Sequence, residues 1–191
     1  MNSKLEELNH LTANEIRKHQ SEFNGEPSIY LSTYAKYNSG SLYGKWIDLT
    51  TFDNYEDFCD YCHRVHYDEQ DPEFMVQDFE YYPKSMYHES GLPTEKEFER
   101  IKEYAELDDA ERKAFGIYLD CYNGNADIEE FRDHYEGKYH SGEDFAEYLC
   151  EESGYFASLP DWAQCCIDYS AVWQSLNTSG YSEFDGYIFI D

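Results

Sequence analysis

Four residues within eight positions, Cys59, Cys62, His63 and His66, have the side chains with most chemistry to offer. Cys59-Asp60-Tyr61-Cys62-His63 spells C-x-x-C-H, the attachment pattern of a c-type haem, and His66 completes a set of two thiols and two imidazoles that a zinc ion could use. The setting suits neither. Haem attachment needs both thiols turned to the vinyl groups in an exported protein. Zinc needs ligands that converge tetrahedrally, and these four span more than one face of a single helix. Cys59, Cys62 and His66 read instead as part of the apolar side of a helix, with a metal-binding or redox protein using Cys59, Cys62, His63 and His66 as the alternative.

Carboxylates could pair for proton transfer or glycoside hydrolysis, but with 41 Asp and Glu in the chain such pairing has no specificity. Placing Gly124 at the sixth position of a calcium loop would put Leu119 and Cys121 at ligand sites, which excludes an EF-hand. No glycine-rich phosphate loop, nucleophile elbow or H-E-x-x-H occurs. The expectation is a protein with no catalytic residue, no bound metal and no cofactor, and not an enzyme.

What dominates is charge. The 191 residues hold 41 acidic and 14 basic side chains, a net charge of -27. Tyr, Phe and Trp make up 18% of the chain, and such rings are what disordered acidic tails lack, so a packed core is expected. Nucleic acid is a poor ligand, because displacing its counterions takes Lys and Arg. A basic partner fits better: duplex DNA carries one charge per roughly 1.7 Å, so 27 charges match those on about 46 Å of duplex. Six cysteines, two of them adjacent at Cys165-Cys166, read as free thiols in a reducing cytoplasm, and no apolar run is long enough for a membrane span.

The elements that must carry this charge follow from pattern. Leu5, Leu8, Leu11 and Ile16 give a weak helical stripe ended at Asn24-Gly25-Glu26-Pro27, an N-terminal extension over residues 1–26. Ile29 and Leu31 alternate with polar residues, and Leu42 to Leu49 resumes extended character, giving a hairpin. Asp53 or Asn54 caps a helix with Tyr55, Phe58, Cys59, Cys62 and His66 on one side and Glu56, Asp57, Asp60 and Arg64 on the other, and a third strand begins at Phe74. Thr94 and Glu97 form a capping box for a helix to about Leu107, a second runs from Ala110 to Leu119, and a third restarts at Asn125. After Pro160, Asp161 caps an apolar segment with a break and second cap at Asp168, and the chain ends in extended structure turning at Asp185-Gly186. The fold class is α+β. Two parts with short antiparallel sheets, residues 27–90 and 131–191, flank a small helical domain at 91–130. The match of Gly44-Lys45-Trp46 with Gly137-Lys138-Tyr139, each followed by an acidic helix, is a weak internal repeat.

YNSGSLYGKWIDL (residues 37–49), the helix ending Cys62-His63-Arg64-Val65-His66, DEQDPEFMVQDFE (residues 68–80) and, at the far end, Ser141-Gly-Glu-Asp-Phe-Ala-Glu-Tyr-Leu with Asp185-Gly-Tyr-Ile-Phe together resemble the ArdA antirestriction proteins. The resemblance covers about residues 27–191 and leaves the extension outside. It implies an elongated homodimer of three-domain chains that imitates bent DNA, occupies the DNA-binding groove of type I restriction-modification enzymes and protects incoming mobile elements. Phosphate-mimicking candidates are Asp48, Asp53, Glu56, Asp57, Asp60, Asp68, Glu69, Asp71, Glu73, Asp78 and Glu80 in the first part. Glu129, Glu130, Asp133, Glu136, Glu143, Asp144 and Glu147 are those in the last. Trp162, Tyr169 and Trp173 are candidates for the dimer interface, because segment 161–176 carries more large apolar residues than so small a lobe can bury. An acidic adaptor for another basic DNA-binding protein is a further alternative.

Overall fold

This computed structural model describes residues 10–191, and in the N-terminal extension Thr12 and Glu15 close a capping box on a short helix, α1 (Ala13–His19). Leu5 and Leu8 of the expected stripe lie outside the described residues. His19, at the end of α1, is buried, stacks on Phe52 at 4.0 Å and shares a 2.8 Å hydrogen bond with Thr51. Arg64 meanwhile donates to Glu15 at 2.7 Å.

The fold is α+β, built on two three-stranded antiparallel sheets. In the first, β1 (Ser28–Thr33) lies between β2 (Lys45–Asp48) and β3 (Phe74–Glu80). Being central, β1 buries its polar residues as well as Ile29 and Leu31, and each finds a partner: Ser28 donates to Ser21 at 2.7 Å and Ser32 to the Tyr43 carbonyl at 2.8 Å. The expected pairing of β1 with β2 is present, but no tight turn joins them. Thr33 accepts from the Lys36 backbone N–H and starts a short helix, α2 (Tyr34–Asn38), inside the connection.

Asn54 caps α3 (Tyr55–Val65), which buries Phe58, Tyr61, Cys62 and Val65. Capping boxes at Thr94 and Asp108 start α4 (Glu95–Ala105) and α5 (Asp109–Cys121). Phe58 of α3 stacks on Phe98 of α4 at 5.0 Å, and Lys102 donates to the Phe52 carbonyl at 3.0 Å. Each such ring, removed from water, stabilises the fold by about 1.5–3 kcal/mol.

The chain divides into one compact unit ending at Asn125 and another from Ala126 to Asp191, so α4 and α5 belong to the first unit. The second contains α6 (Ile128–His134), β4 (Tyr135–Lys138), α7 (Gly142–Glu152), α8 (Asp161–Gln164), α9 (Tyr169–Thr178), β5 (Tyr181–Phe184) and β6 (Tyr187–Ile190). Its sheet order is β4-β6-β5. The turn between β5 and β6 has φ of 57° at Asp185 and 82° at Gly186, the two left-handed residues that a two-residue hairpin turn needs. A side chain at Gly186 would also meet the Tyr139 carbonyl at 2.4 Å. Asp168 caps α9 as expected, but Asp161 is the first residue of α8, whose cap position, Pro160, has no side-chain bond to give.

Candidate functional site

The four residues that opened the sequence reading do not form one site. Cys62 is buried, and burial pushes its thiol well above the usual range; Cys59 is half-buried and His63 exposed, its ring edge-on to Phe74 at 4.9 Å. His66 is wholly buried, and the burial, helped by the Lys36 ammonium, holds its imidazole down to about 4. Among the described residues, the one group of three metal-ligating side chains is His66, Asp68 and Glu69, which leaves out both cysteines and His63. All six cysteines are free thiols.

The carboxylates lie where helix periodicity puts them. Glu56 and Asp60 of α3 are exposed opposite its buried Phe58, Tyr61, Cys62 and Val65, and Asp57 accepts from Asn54 at 2.9 Å. Glu143, Asp144 and Glu147 of α7 are exposed opposite Phe145, Ala146 and Cys150. Of the 18 candidates, 15 are exposed, Glu69 and Glu130 are half-buried, and Asp48 is buried. Asp48 is the correction: its carboxylate turns inward and accepts from the Thr50 backbone at 2.9 Å and hydroxyl at 2.7 Å, closing the helical turn at Leu49–Thr51. Such a carboxylate satisfies backbone donors and is not on offer to a partner.

Two further candidates are engaged within the lobe. Lys36 reaches Asp68 at 3.0 Å and Glu69 at 2.5 Å, while Thr33 donates to Glu69 at 2.7 Å. The hydrogen bond from Lys36 lowers Asp68 below its ordinary range. Burial alone would raise Glu69, but the bonds from Lys36 and Thr33 outweigh it and lower that group as well.

Sequence reading missed an acidic row on α4, where Glu95, Glu99 and Glu103 are exposed at intervals of four, and the continuation of the α7 surface in Glu151 and Glu152. The i, i+4 spacing that marks one face of a helix was the available signal. Density decides whether such rows resemble a nucleic-acid strand. One row at i, i+4 places a charge about every 6 Å, against one per about 3.4 Å along a DNA strand. On α7 the two neighbouring rows put five carboxylates on 11 residues, or one per about 3 Å of axis, which matches a strand.

An open cleft of about 850 Å³ in the first unit has Lys84, Arg112 and Lys113 but also Glu26, Asp109 and Asp120. Arg112 is held there by the carbonyls of Gly25 and Ala105 and by Glu26, a structural use of a cation. Of the dimer candidates, Trp162 is 74% exposed and Tyr169 half-buried. Trp173 is half-buried in its own unit, against Gly142, where an added methyl would lie 2.1 Å from the indole. No described helix is long and apolar enough to cross a membrane.

These features define an α+β protein whose helices bury aromatic faces and turn dense rows of carboxylate outward. The family model described as "Antirestriction protein (ArdA)" matches residues 29–189, nearly the whole chain, and leaves α1 outside. The protein belongs to the ArdA antirestriction family, whose targets are restriction-modification enzymes. A search of curated proteins finds no match to the chain.

Proposed function

We propose that this protein is an antirestriction inhibitor that imitates DNA, placing carboxylates where type I restriction-modification enzymes hold phosphates and so competing with DNA for their binding groove. The observation that carries the reading is the α7 surface, whose charge spacing along the helix axis matches that of a DNA strand. Rows on α3 and α4 extend the same chemistry to the first unit. The inhibitor acts by occupancy and needs no catalytic residue. It works in the cytoplasm for an incoming mobile element, as a homodimer in which Trp162 belongs to the shared interface. Because a polyanionic ligand attracts a basic groove over several ångströms, association should be fast and salt-sensitive.

Titration into a complex of a type I enzyme with labelled DNA tests this. The expected result is release of DNA at equal stoichiometry, with weaker competition as salt rises. A stable complex of enzyme, DNA and this protein together would overturn the mimic.

A further inference from the structure

The loop after α3 contains a group that the acidic surface does not account for. His66 is 0% exposed, and neither ring nitrogen has a hydrogen-bond partner at good geometry, the Leu31 backbone giving only a weak interaction. A buried polar group without a partner costs stability and is uncommon in a folded protein. Within 4.8 Å of one another lie a ring nitrogen of His66 and one oxygen each of Asp68 and Glu69. The ammonium of Lys36 bridges the two carboxylates. One imidazole and two carboxylates with donor atoms this close form a metal-ligand set, and a lysine ammonium already bridges its two carboxylates.

We propose that His66, Asp68 and Glu69 form a binding site for a divalent transition metal of the zinc class, which enters by displacing the Lys36 ammonium. The donor set selects the metal: imidazole suits zinc, cobalt, nickel or copper, whereas calcium and magnesium take oxygen ligands and gain little from His66. Distances agree. Ligand atoms around a tetrahedral zinc lie roughly 3.3 Å apart, so a triad whose donor atoms all lie within 4.8 Å of one another has at most about 1.5 Å to contract once the lysine leaves. The exchange is simple, since a monovalent cation moves to solvent and a divalent one takes both carboxylates and the free imidazole nitrogen. Lys36 has somewhere to go, being on the short helix α2, none of whose residues is buried. Three protein ligands leave one position for water.

A chain with 41 acidic residues gathers divalent cations loosely everywhere, so the test must isolate one site. Cobalt(II) is titrated into the full-length protein in excess magnesium, following both heat and the visible absorption band of an imidazole-bound ion. The expected result is one tight site per chain. Asp68→Asn should weaken it by roughly 10–100-fold and Lys36→Met, which removes the competing cation, should tighten it by about tenfold or more. His66→Gln should abolish the band. If that variant does not fold, as judged by circular dichroism, the opposite responses of Asp68→Asn and Lys36→Met decide. Cobalt binding that is indifferent to Lys36→Met and Asp68→Asn, or many equal weak sites, would overturn the proposal.

Discussion

The two units carry almost the same net charge on very different amounts of chain. Residues 1–125 hold 26 acidic and 12 basic side chains, a net of -14, whereas residues 126–191 hold 15 acidic and two basic, a net of -13. The first unit uses its cations as fasteners between distant segments: Lys36 to Asp68 and Glu69, Arg64 to Glu15, Arg112 to Glu26, and Lys102 to backbone carbonyls at Phe52 and Asp53. The second has only Arg132 and Lys138, and Lys138 lies over the Tyr187 ring at 4.8 Å. Its sheet and helices are assembled by rings such as Phe145, Tyr181, Tyr139 and Trp173. A polyanionic surface can therefore be held in two ways, by cations that also dilute it or by aromatic packing that leaves it undiluted.

Removing one core ring from each unit tests that contrast most severely. Phe58 and Phe145 are both fully buried, so Phe58→Ala and Phe145→Ala should each cost about 3–5 kcal/mol, read as lost amide protection in the unit concerned. If Phe145→Ala were much the milder, aromatic packing would not be what holds the second unit.

Adding a single methyl comes next. Gly44→Ala places a carbon 2.7 Å from the Leu31 carbonyl and the Tyr30 ring, and Gly142→Ala places one 2.1 Å from Trp173. Each should lower stability by about 1–3 kcal/mol in thermal melts. An unaffected Gly142→Ala would show that Trp173 is free to leave its seat.

Arg64→Met probes the fasteners of the first unit and should cost about 1 kcal/mol, with faster exchange in α1. It should also alter the acid limb of stability. The hydrogen bond from Arg64 holds Glu15 at about 2 instead of 4.5, so its contribution is complete above pH 4.5 and disappears as pH falls toward 2. His66, kept neutral by burial down to about 4, adds a loss between 6.5 and 4 that Arg64→Met should leave in place. An unchanged Glu15 titration in the variant would sever α1 from Arg64.

The smallest effect is that of salt. Screening shrinks the reach of charge from about 10 Å at 0.1 M to 3 Å at 1 M, so exchange should slow in residues 126–191, where like charges crowd. Residues 10–125 should respond less, because the same salt weakens their ion pairs. Equal responses would remove the distinction.

Helices with capping boxes and apolar spacing were legible from sequence, and the Thr94 box, the Asn54 cap and the Asp185-Gly186 turn lie where the residues placed them. The α2 interruption was not, since it hangs on one Thr33 hydroxyl that also serves Glu69. Composition located the acidic surface, while the fate of single carboxylates needed coordinates: Asp48 and Asp53 look alike in sequence, yet one caps a turn and the other faces solvent. His66 could be read as core, but its approach to Asp68 and Glu69 depends on a turn that no local pattern announces.

Cumulative neutralisation of the acidic rows tests the central claim of mimicry most directly. Asn and Gln are introduced one at a time at Glu56, Asp57 and Asp60 of α3 and at Glu143, Asp144 and Glu147 of α7. Inhibition of a type I restriction enzyme and the thermal melt are followed for each variant. Exposed charges contribute about 0.2–1 kcal/mol each to a solvated contact, so inhibition should erode in small steps, more steeply for α7, while melting holds or rises. Abolition of inhibition by any single substitution in a protein that still melts normally would contradict a distributed charge mimic and point back to a specific catalytic or metal-dependent site.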